Sequence, residues 1–164
     1  LSVAAIGAQD HTAEARYLER VAGAVVNLGT GCVGSNGQVP LHAAPVAPEI
    51  GQPVTYSVSG VFGATNSTLF LGSSNTVWGA SPLPLSLGII GTDPTCNVLA
   101  AGHLSIPVAI GAGGTGSFGF SLVNDPAFIG AQFYTQYLVV DPFVASTAKL
   151  IVSNGLCSTI GGLR

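Results

Sequence analysis

Residues 104–122 read LSIPVAIGAGGTGSFGFSL, two alternating stretches on either side of a glycine-rich loop. Apolar side chains occupy every second position from Leu104 to Ile110 and again from Phe118 to Leu122. A period of two is the pattern of a β-strand that buries one face and exposes the other. We therefore predict two half-buried strands, joined by a hairpin connection over Gly111–Gly116.

Similar patterns recur along most of the chain. Alternation predicts half-buried strands over 54–59 and 83–89, whereas 68–71 and 132–140 are apolar on both faces, as in central strands. Asn154-Gly155 separates two strand-like runs, 149–153 and 156–160, and Asn-Gly is the strongest short hairpin signal. About eight or nine strands without intervening helices predict an all-β fold, a two-sheet antiparallel β-sandwich.

The first 26 residues differ from the rest. Leu1–Ala8 is apolar and suited to a strand, and His11–Val25 has apolar residues at helical spacing. Five of the eleven charged residues lie within the first 20 positions. We therefore predict an N-terminal arm over residues 1–26 that contains a short helix, followed by a β-sandwich domain over residues 27–164.

Charge is scarce for a chain of this length. Asp, Glu, Lys and Arg make up 7% of the 164 residues, against roughly 25% in an ordinary soluble domain, while hydrophobic residues make up 48%. A composition this rich in hydrophobic residues excludes a disordered chain. The net charge of -3 excludes the basic surface that binding of nucleic acid requires. Gly, Pro and polar residues interrupt every apolar run well before the roughly 18 residues of a spanning helix, so we expect no membrane span.

The absence of Met and the start at Leu1 predict a processed product that has lost an export signal and resides outside the cell or on its surface. The three cysteines, Cys32, Cys96 and Cys157, lack the close spacing of a zinc site. In an oxidising compartment one pair would form a disulfide, and the third would be buried or pair between molecules. In a reducing compartment all three would be small core residues.

Three of the four Asp residues, Asp93, Asp125 and Asp141, stand directly before a proline. Asp before Pro favours turns, because the carboxylate accepts nearby backbone N–H groups while Pro fixes the next φ. We therefore predict a turn role for all three. A general acid/base pair or a calcium site built from these loops is the alternative.

No other pattern predicts catalysis. The glycine loop at 111–116 matches G-x-G-x-x-G, but a strand follows it where a dinucleotide site requires a helix. His11, His42 and His103 share no ligand or triad spacing, and we expect them on the surface or hydrogen-bonded in the core. The prediction is a protein without enzymatic activity, metal or cofactor.

Trp78 is the single tryptophan and precedes the turn at Pro82. An exposed Trp there could stack on a sugar ring, together with Tyr134 and Tyr137, which would make a surface glycan the partner. The alternative is a Trp that fills the core beside a turn.

A series of short motifs follows in a fixed order from Asn27 to Gly161. In these motifs the chain resembles an uncharacterised β-sandwich module found at the C-terminal ends of large secreted proteins of environmental Gram-negative bacteria. The resemblance covers about four-fifths of the chain and implies a β-sandwich that is extracellular and carries no recognised catalytic residues. The motifs are Gly29-Thr30-Gly31-Cys32-Val33-Gly34-Ser35, Leu71-Gly72-Ser73-Ser74-Asn75, Trp78-Gly79, Pro82-Leu83-Pro84-Leu85, Pro94-Thr95-Cys96, Asn124-Asp125-Pro126, Phe133-Tyr134-Thr135-Gln136, Asp141-Pro142 and Ser153-Asn154-Gly155-Leu156.

The resemblance also implies which cysteines pair. Cys32 and Cys96 correspond to the module's usual cysteine pair, so a Cys32–Cys96 disulfide is expected. Cys157 departs from the module's pattern and is expected either to be buried and free or to displace one of the other two.

The function expected from these observations is that of a non-catalytic secreted structural subunit. Such a subunit would be a homo-oligomer or polymer and form a fibre, sheath or surface layer, with Leu1, Val3, Ala5 and Ile6 of the arm exchanged as a strand between copies. Lys149 is the single lysine, so the edge strands lack the charged side chains that usually prevent pairing with a strand of another molecule. The alternatives are a carbohydrate- or surface-binding module and, with least support, a hydrolase that uses the loop aspartates.

Overall fold

The computed structural model describes residues 19–64 and 66–163. These residues form mostly antiparallel β-structure, with two short 3₁₀ helices, η1 (Leu87–Ile90) and η2 (Pro126–Phe128). No helix of the described residues has the length and apolar character that crossing a bilayer requires. The strands, in chain order, are β1 (Arg20–Val21), β2 (Ala24–Asn27), β3 (Leu41–Ala43), β4 (Pro53–Ser59), β5 (Asn66–Gly72), β6 (Val77–Trp78), β7 (Ser81–Pro82), β8 (Leu85–Ser86), β9 (Asn97–Val98), β10 (Leu104–Ala109), β11 (Gly116–Ser121), β12 (Gln132–Val140), β13 (Leu150–Thr159) and β14 (Gly162–Leu163).

Two sheets contain the longer strands. One has five strands in the order β10-β5-β12-β13-β2, and the other has three in the order β11-β4-β3. Three two-stranded pairs, β1-β14, β6-β7 and β8-β9, lie outside them. All pairings between these strands are antiparallel. The predicted all-β class is therefore confirmed.

Both sheets contribute to one hydrophobic core. Tyr56 of β4 and Tyr137 of β12 are fully buried there, and the Tyr137 hydroxyl donates to the Tyr56 carbonyl oxygen at 2.9 Å. Leu69 of β5 and Val152 of β13 belong to the same buried cluster. Alternation in β4 buries Val54, Tyr56 and Val58, as the sequence predicts.

The glycine-rich loop at 111–116 connects strands that do not pair with each other. β10 pairs with β5 and β11 pairs with β4, so the chain passes from one sheet to the other at this loop. A hydrogen bond from Gly111 N to Thr115 O closes the loop at 2.9 Å. Both strands were predicted correctly, but the hairpin between them was wrong, because alternation identifies a strand without identifying its partner.

The predicted hairpin at Asn154-Gly155 is also wrong, since β13 continues through both residues. The Asn154 amide pairs with the backbone of His42, accepting from His42 N at 2.7 Å and donating to His42 O at 3.1 Å. Gly155 allows close packing, because a Cβ there would lie only 3.0 Å from Leu99 Cβ. Tertiary contacts of both residues therefore override the local turn preference.

The predicted strand over 83–89 is present only at β8, and η1 replaces its second half. Ser86 caps η1 by accepting a hydrogen bond from Gly88 N at 3.2 Å. Gly91 ends it in the left-handed region, with φ at 89°. Ser86 and Gly91 therefore mark the start and the end of a short helix, and the strand does not continue beyond Ser86.

The N-terminal expectations are tested only in part, since residues 1–18 lie outside the described residues. Within the predicted helix His11–Val25, residues Arg20–Val21 form β1 and Ala24–Val25 belong to β2, so the helix is wrong over this part. β2 pairs with β13 in the five-stranded sheet, and the predicted boundary at residue 26 falls inside it. The assembly residues Leu1, Val3, Ala5 and Ile6 lie outside the described residues.

The second face of the five-stranded sheet is covered by the segment 73–103, which contains β6 to β9. Phe70 points away from the core side of β5, and its ring lies 5.5 Å from the Trp78 ring. A Cβ on Gly72 would overlap the Ala101 carbonyl oxygen, so the covering segment approaches the sheet backbone closely. Gln136 of β12 also points into this layer, where it accepts a hydrogen bond from Leu99 N at 2.7 Å.

Candidate functional site

The three Asp-Pro loops have the turn role that the sequence predicts. Asp93 accepts from Thr95 N at 2.8 Å, and Asp125 caps η2 by accepting from Ala127 N at 2.9 Å. Asp141 accepts from Phe143 N at 3.0 Å. Each carboxylate is engaged by its own loop. No group of three or more His, Cys, Asp or Glu side chains among the described residues could hold a metal ion.

Asp141 differs from the other two because it is buried. One oxygen accepts from Ser35 N at 2.7 Å, and the other accepts from Phe143 N and Val144 N. Burial on its own would raise the pKa of Asp141, but these hydrogen bonds outweigh it, so the pKa lies below its usual value. The ionised carboxylate therefore ties the loop around Ser35 to the end of β12.

His42 lies in the core between two tyrosines. Its ring centroid is 5.0 Å from that of Tyr137 and 5.7 Å from that of Tyr56. Within residues 19–64 and 66–163, neither ring nitrogen has a hydrogen-bond partner, contrary to the expected surface or hydrogen-bonded position. Burial lowers the pKa of His42 from 6.5 to about 4, because the charged ring would lose its hydration. His103 is exposed, and its Nδ1 lies 3.3 Å from Ser73 N.

The buried neutral ring predicts that stability falls as the pH falls. Between pH 6.5 and about 4 the unfolded chain binds a proton that folded His42 resists, so this group lowers the free energy of unfolding by about 3 kcal/mol over that range and adds no pH dependence above about pH 7. We expect His42→Phe to remove this dependence while keeping a ring between the tyrosines. Urea unfolding across this pH range measures it. His103→Phe is the matched control and should retain the wild-type slope; a His42→Phe curve parallel to wild type would contradict the prediction.

The Cys32–Cys96 disulfide expected from the resemblance is confirmed. The two Cα atoms are 4.9 Å apart, and the bond spans 64 positions of the chain. Cys32 lies beside β13, where its backbone N–H donates to Val152 O at 3.1 Å. Cys96 belongs to the covering segment, so the disulfide fastens that segment to the five-stranded sheet. Cys157 is buried and free, the first of the two expected states.

The three residues predicted for ligand stacking do not form one exposed surface. Tyr137 is fully buried, so its ring cannot contact a ligand. Trp78 is half-buried against Phe70, which fits the alternative of a Trp that fills the core beside a turn. Tyr134 is half-buried, and its hydroxyl donates to Gln132 Oε1 at 3.3 Å. The pKa of the Tyr134 hydroxyl is raised by burial and by the neighbouring Cys157.

An apolar groove of about 390 Å³ opens at the end of β11, and the sequence did not predict it. The rings of Phe120 and Phe133 line it, with centroids 6.3 Å apart. None of the residues that line it is ionisable. The lining residues are Leu71, Phe120, Ser121, Leu122, Val123, Phe128, Ala131, Gln132, Phe133 and Ile160.

A second groove, of about 360 Å³, adjoins the first and is polar. Val123 lines the apolar groove and the next residue, Asn124, lines the polar one. Arg20 also lines the polar groove, where it pairs with Glu49 at 2.7 Å. Both side chains reach solvent, so this ion pair contributes little to stability.

Among the described residues, the apolar groove is the strongest candidate for a functional site. It provides neither a nucleophile with a base nor a set of metal ligands, so its lining fits binding of apolar surface rather than catalysis. Comparison with protein-family models, curated proteins and solved structures found no match. The site is therefore interpreted from its own geometry.

Proposed function

We propose that this protein is a non-catalytic, secreted structural subunit that assembles with copies of itself into an extracellular fibre, sheath or surface layer. The observation that carries the proposal is the open apolar groove without a charged lining at the end of β11. Apolar surface gathered in one open groove is typical of a site that binds another molecule.

The balance of exposed side chains supports the proposal. Among the described residues, 15 large hydrophobic side chains are exposed, from Val26 to Leu163. Six charged side chains are exposed or half-exposed, Glu19, Arg20, Glu49, Asp93, Asp125 and Lys149. Surfaces that stay monomeric usually carry more charge than this, so contact between copies would cover what solvent otherwise contacts.

The fold proposed for this subunit is a two-sheet β-sandwich, with the five-stranded and three-stranded sheets as its layers. Their shared core and their total of eight strands support this arrangement. The Cys32–Cys96 disulfide is compatible with an oxidising, extracellular location. The resemblance to a C-terminal module of secreted proteins points the same way.

Neither alternative gains support from the site residues. Of the residues predicted to stack on a glycan, Trp78, Tyr134 and Tyr137, the last is fully buried. A hydrolase would need aspartates that face one another, whereas each loop carboxylate accepts a backbone N–H of its own turn.

Self-assembly predicts a mass that rises with protein concentration. In light scattering and negative-stain imaging we expect particles much larger than the 16.3 kDa chain, with a regular repeat. Because the contacts proposed are apolar, raising the NaCl concentration should leave the assembly intact, and sulfate should strengthen it. Monomers at every concentration would contradict the proposed function, and dissociation by NaCl would contradict its apolar basis.

A further inference from the structure

The free edge of β11 is an unprotected edge of the three-stranded sheet. β11 is the outer strand of the three-stranded sheet and has no strand on its other side among the described residues. Its sequence, GSFGFS, contains no charge and no proline. The facing edge strand, β10, carries Pro107, which removes a backbone donor. An unguarded edge of this kind is a template for an added strand.

The side chains beside this edge are incompletely covered. Phe118 and Phe120 of β11 point toward the core but are only partly buried. Ile106 and Ile110, in β10 and just after it, are in the same state on the side of the five-stranded sheet. The apolar groove continues this exposed strip at the C-terminal end of β11. An incoming strand at β11 would thus find both backbone partners and an apolar surface.

The sequence offers one segment that suits this position. Leu1–Ala8 has eight residues, no charge, and apolar side chains on both faces if extended. It belongs to the 18 residues before the described chain, which begins at Glu19 next to Arg20. Arg20 lines the polar groove that adjoins the apolar one. The ten residues 9–18 can span roughly 33 Å when extended, so the segment can reach a groove on a neighbouring molecule.

We propose that Leu1–Ala8 of a second copy adds as a strand to the free edge of β11 and places its apolar side chains in the groove. This inference rests on the proposed function and names its contact. The arm and the groove are different surfaces, so the contact is heterologous, and each molecule offers one of each. Repetition without closure therefore gives an open chain of subunits.

Two complementary variants test the contact in the full-length protein. Val3→Asp places a charge in the arm, and Val123→Asp places one in the groove at a position that is 67% exposed, where the fold should tolerate it. Each variant alone should have the mass of a single chain. Their equimolar mixture should contain pairs with twice that mass and nothing larger. In each pair the intact arm of one chain binds the intact groove of the other, and the arm and groove left over are both defective.

The control is Ile89→Asp, which introduces the same charge at a position that is 79% exposed and does not line the groove. It should assemble like wild type, and circular dichroism should show a native fold for all three variants. If wild type assembles and Val3→Asp assembles equally well, the arm contact is wrong while the proposed function stands. If wild type does not assemble, the proposed function itself fails.

Disulfide trapping tests the placement directly. A Val3→Cys chain mixed with a Ser121→Cys chain under mild oxidation should yield a covalent dimer, whereas Ile89→Cys in place of Ser121→Cys should not. The absence of that dimer, with wild type assembled, would overturn the contact. If the two substitutions in one dilute chain link within that chain, the arm occupies its own groove, which would overturn the exchange between copies.

Discussion

Replacing Cys32 and Cys96 together by serine is expected to lower the free energy of unfolding by about 4 kcal/mol. The disulfide closes a loop of 64 positions, and a cross-link over that span removes about this much chain entropy from the unfolded state. The loss should be large relative to the roughly 5–15 kcal/mol of total stability typical of single domains. Denaturant unfolding of both proteins measures the difference.

Two comparisons isolate the disulfide. Cys157→Ser removes the buried free thiol and should cost far less, because no cross-link is lost. Wild type unfolded in the presence of a reductant should approach the stability of the double serine variant. A difference below about 1 kcal/mol between wild type and the double variant would mean that the covering segment is held by its other contacts.

Replacing Gln136 by methionine is expected to lower the free energy of unfolding by about 3 kcal/mol. The Gln136 amide is almost fully buried, where it accepts from Leu99 N and donates to Asn97 O at 3.0 Å and Ser153 O at 2.7 Å. Methionine has a similar volume but leaves these three backbone groups unpaired, at about 1–3 kcal/mol for a buried group. Thermal and urea unfolding measure the loss.

Gln132→Met is the matched control, since Gln132 lies on the same strand but is exposed. Its side chain makes longer contacts, such as 3.3 Å to Thr159 Oγ1, and the substitution should change stability by less than about 0.5 kcal/mol. Equal effects of the two substitutions would show that the buried amide network does not anchor the covering segment.

Strand positions were the most predictable part of this fold, because alternation depends on neighbouring residues alone. β4, β10, β11 and β12 lie within a residue or two of the predicted ranges. Strand partners were not predictable in this way. The link at 111–116 has the composition of a hairpin, yet each flanking strand finds better partners in a different sheet.

The error at Asn154-Gly155 has a different cause. The amide of Asn154 serves β3, more than 100 residues earlier, and Gly155 makes room for Leu99. Both uses depend on contacts that arise only in the folded chain. The Asp-Pro turns were predicted because their hydrogen bonds are local, and the disulfide was expected only from the resemblance.

The apolar groove could not be predicted, because its lining comes from five separate parts of the chain between Leu71 and Ile160. The one local signal is the density of aromatic residues between 118 and 133, where four of the seven phenylalanines occur: Phe118, Phe120, Phe128 and Phe133. That density alone does not distinguish a filled core from an open groove.

The pairing of β2 with β13 has a consequence for the order in which the fold can form. Val25 and Val26 are opposite Ser158 and Cys157, so the first strand of the five-stranded sheet along the chain can pair only when the last one is present. Contacts so distant in sequence slow folding. A chain that emerges from its N-terminal end, from a ribosome or a transport channel, must therefore keep this sheet incomplete until almost the whole polypeptide has been delivered.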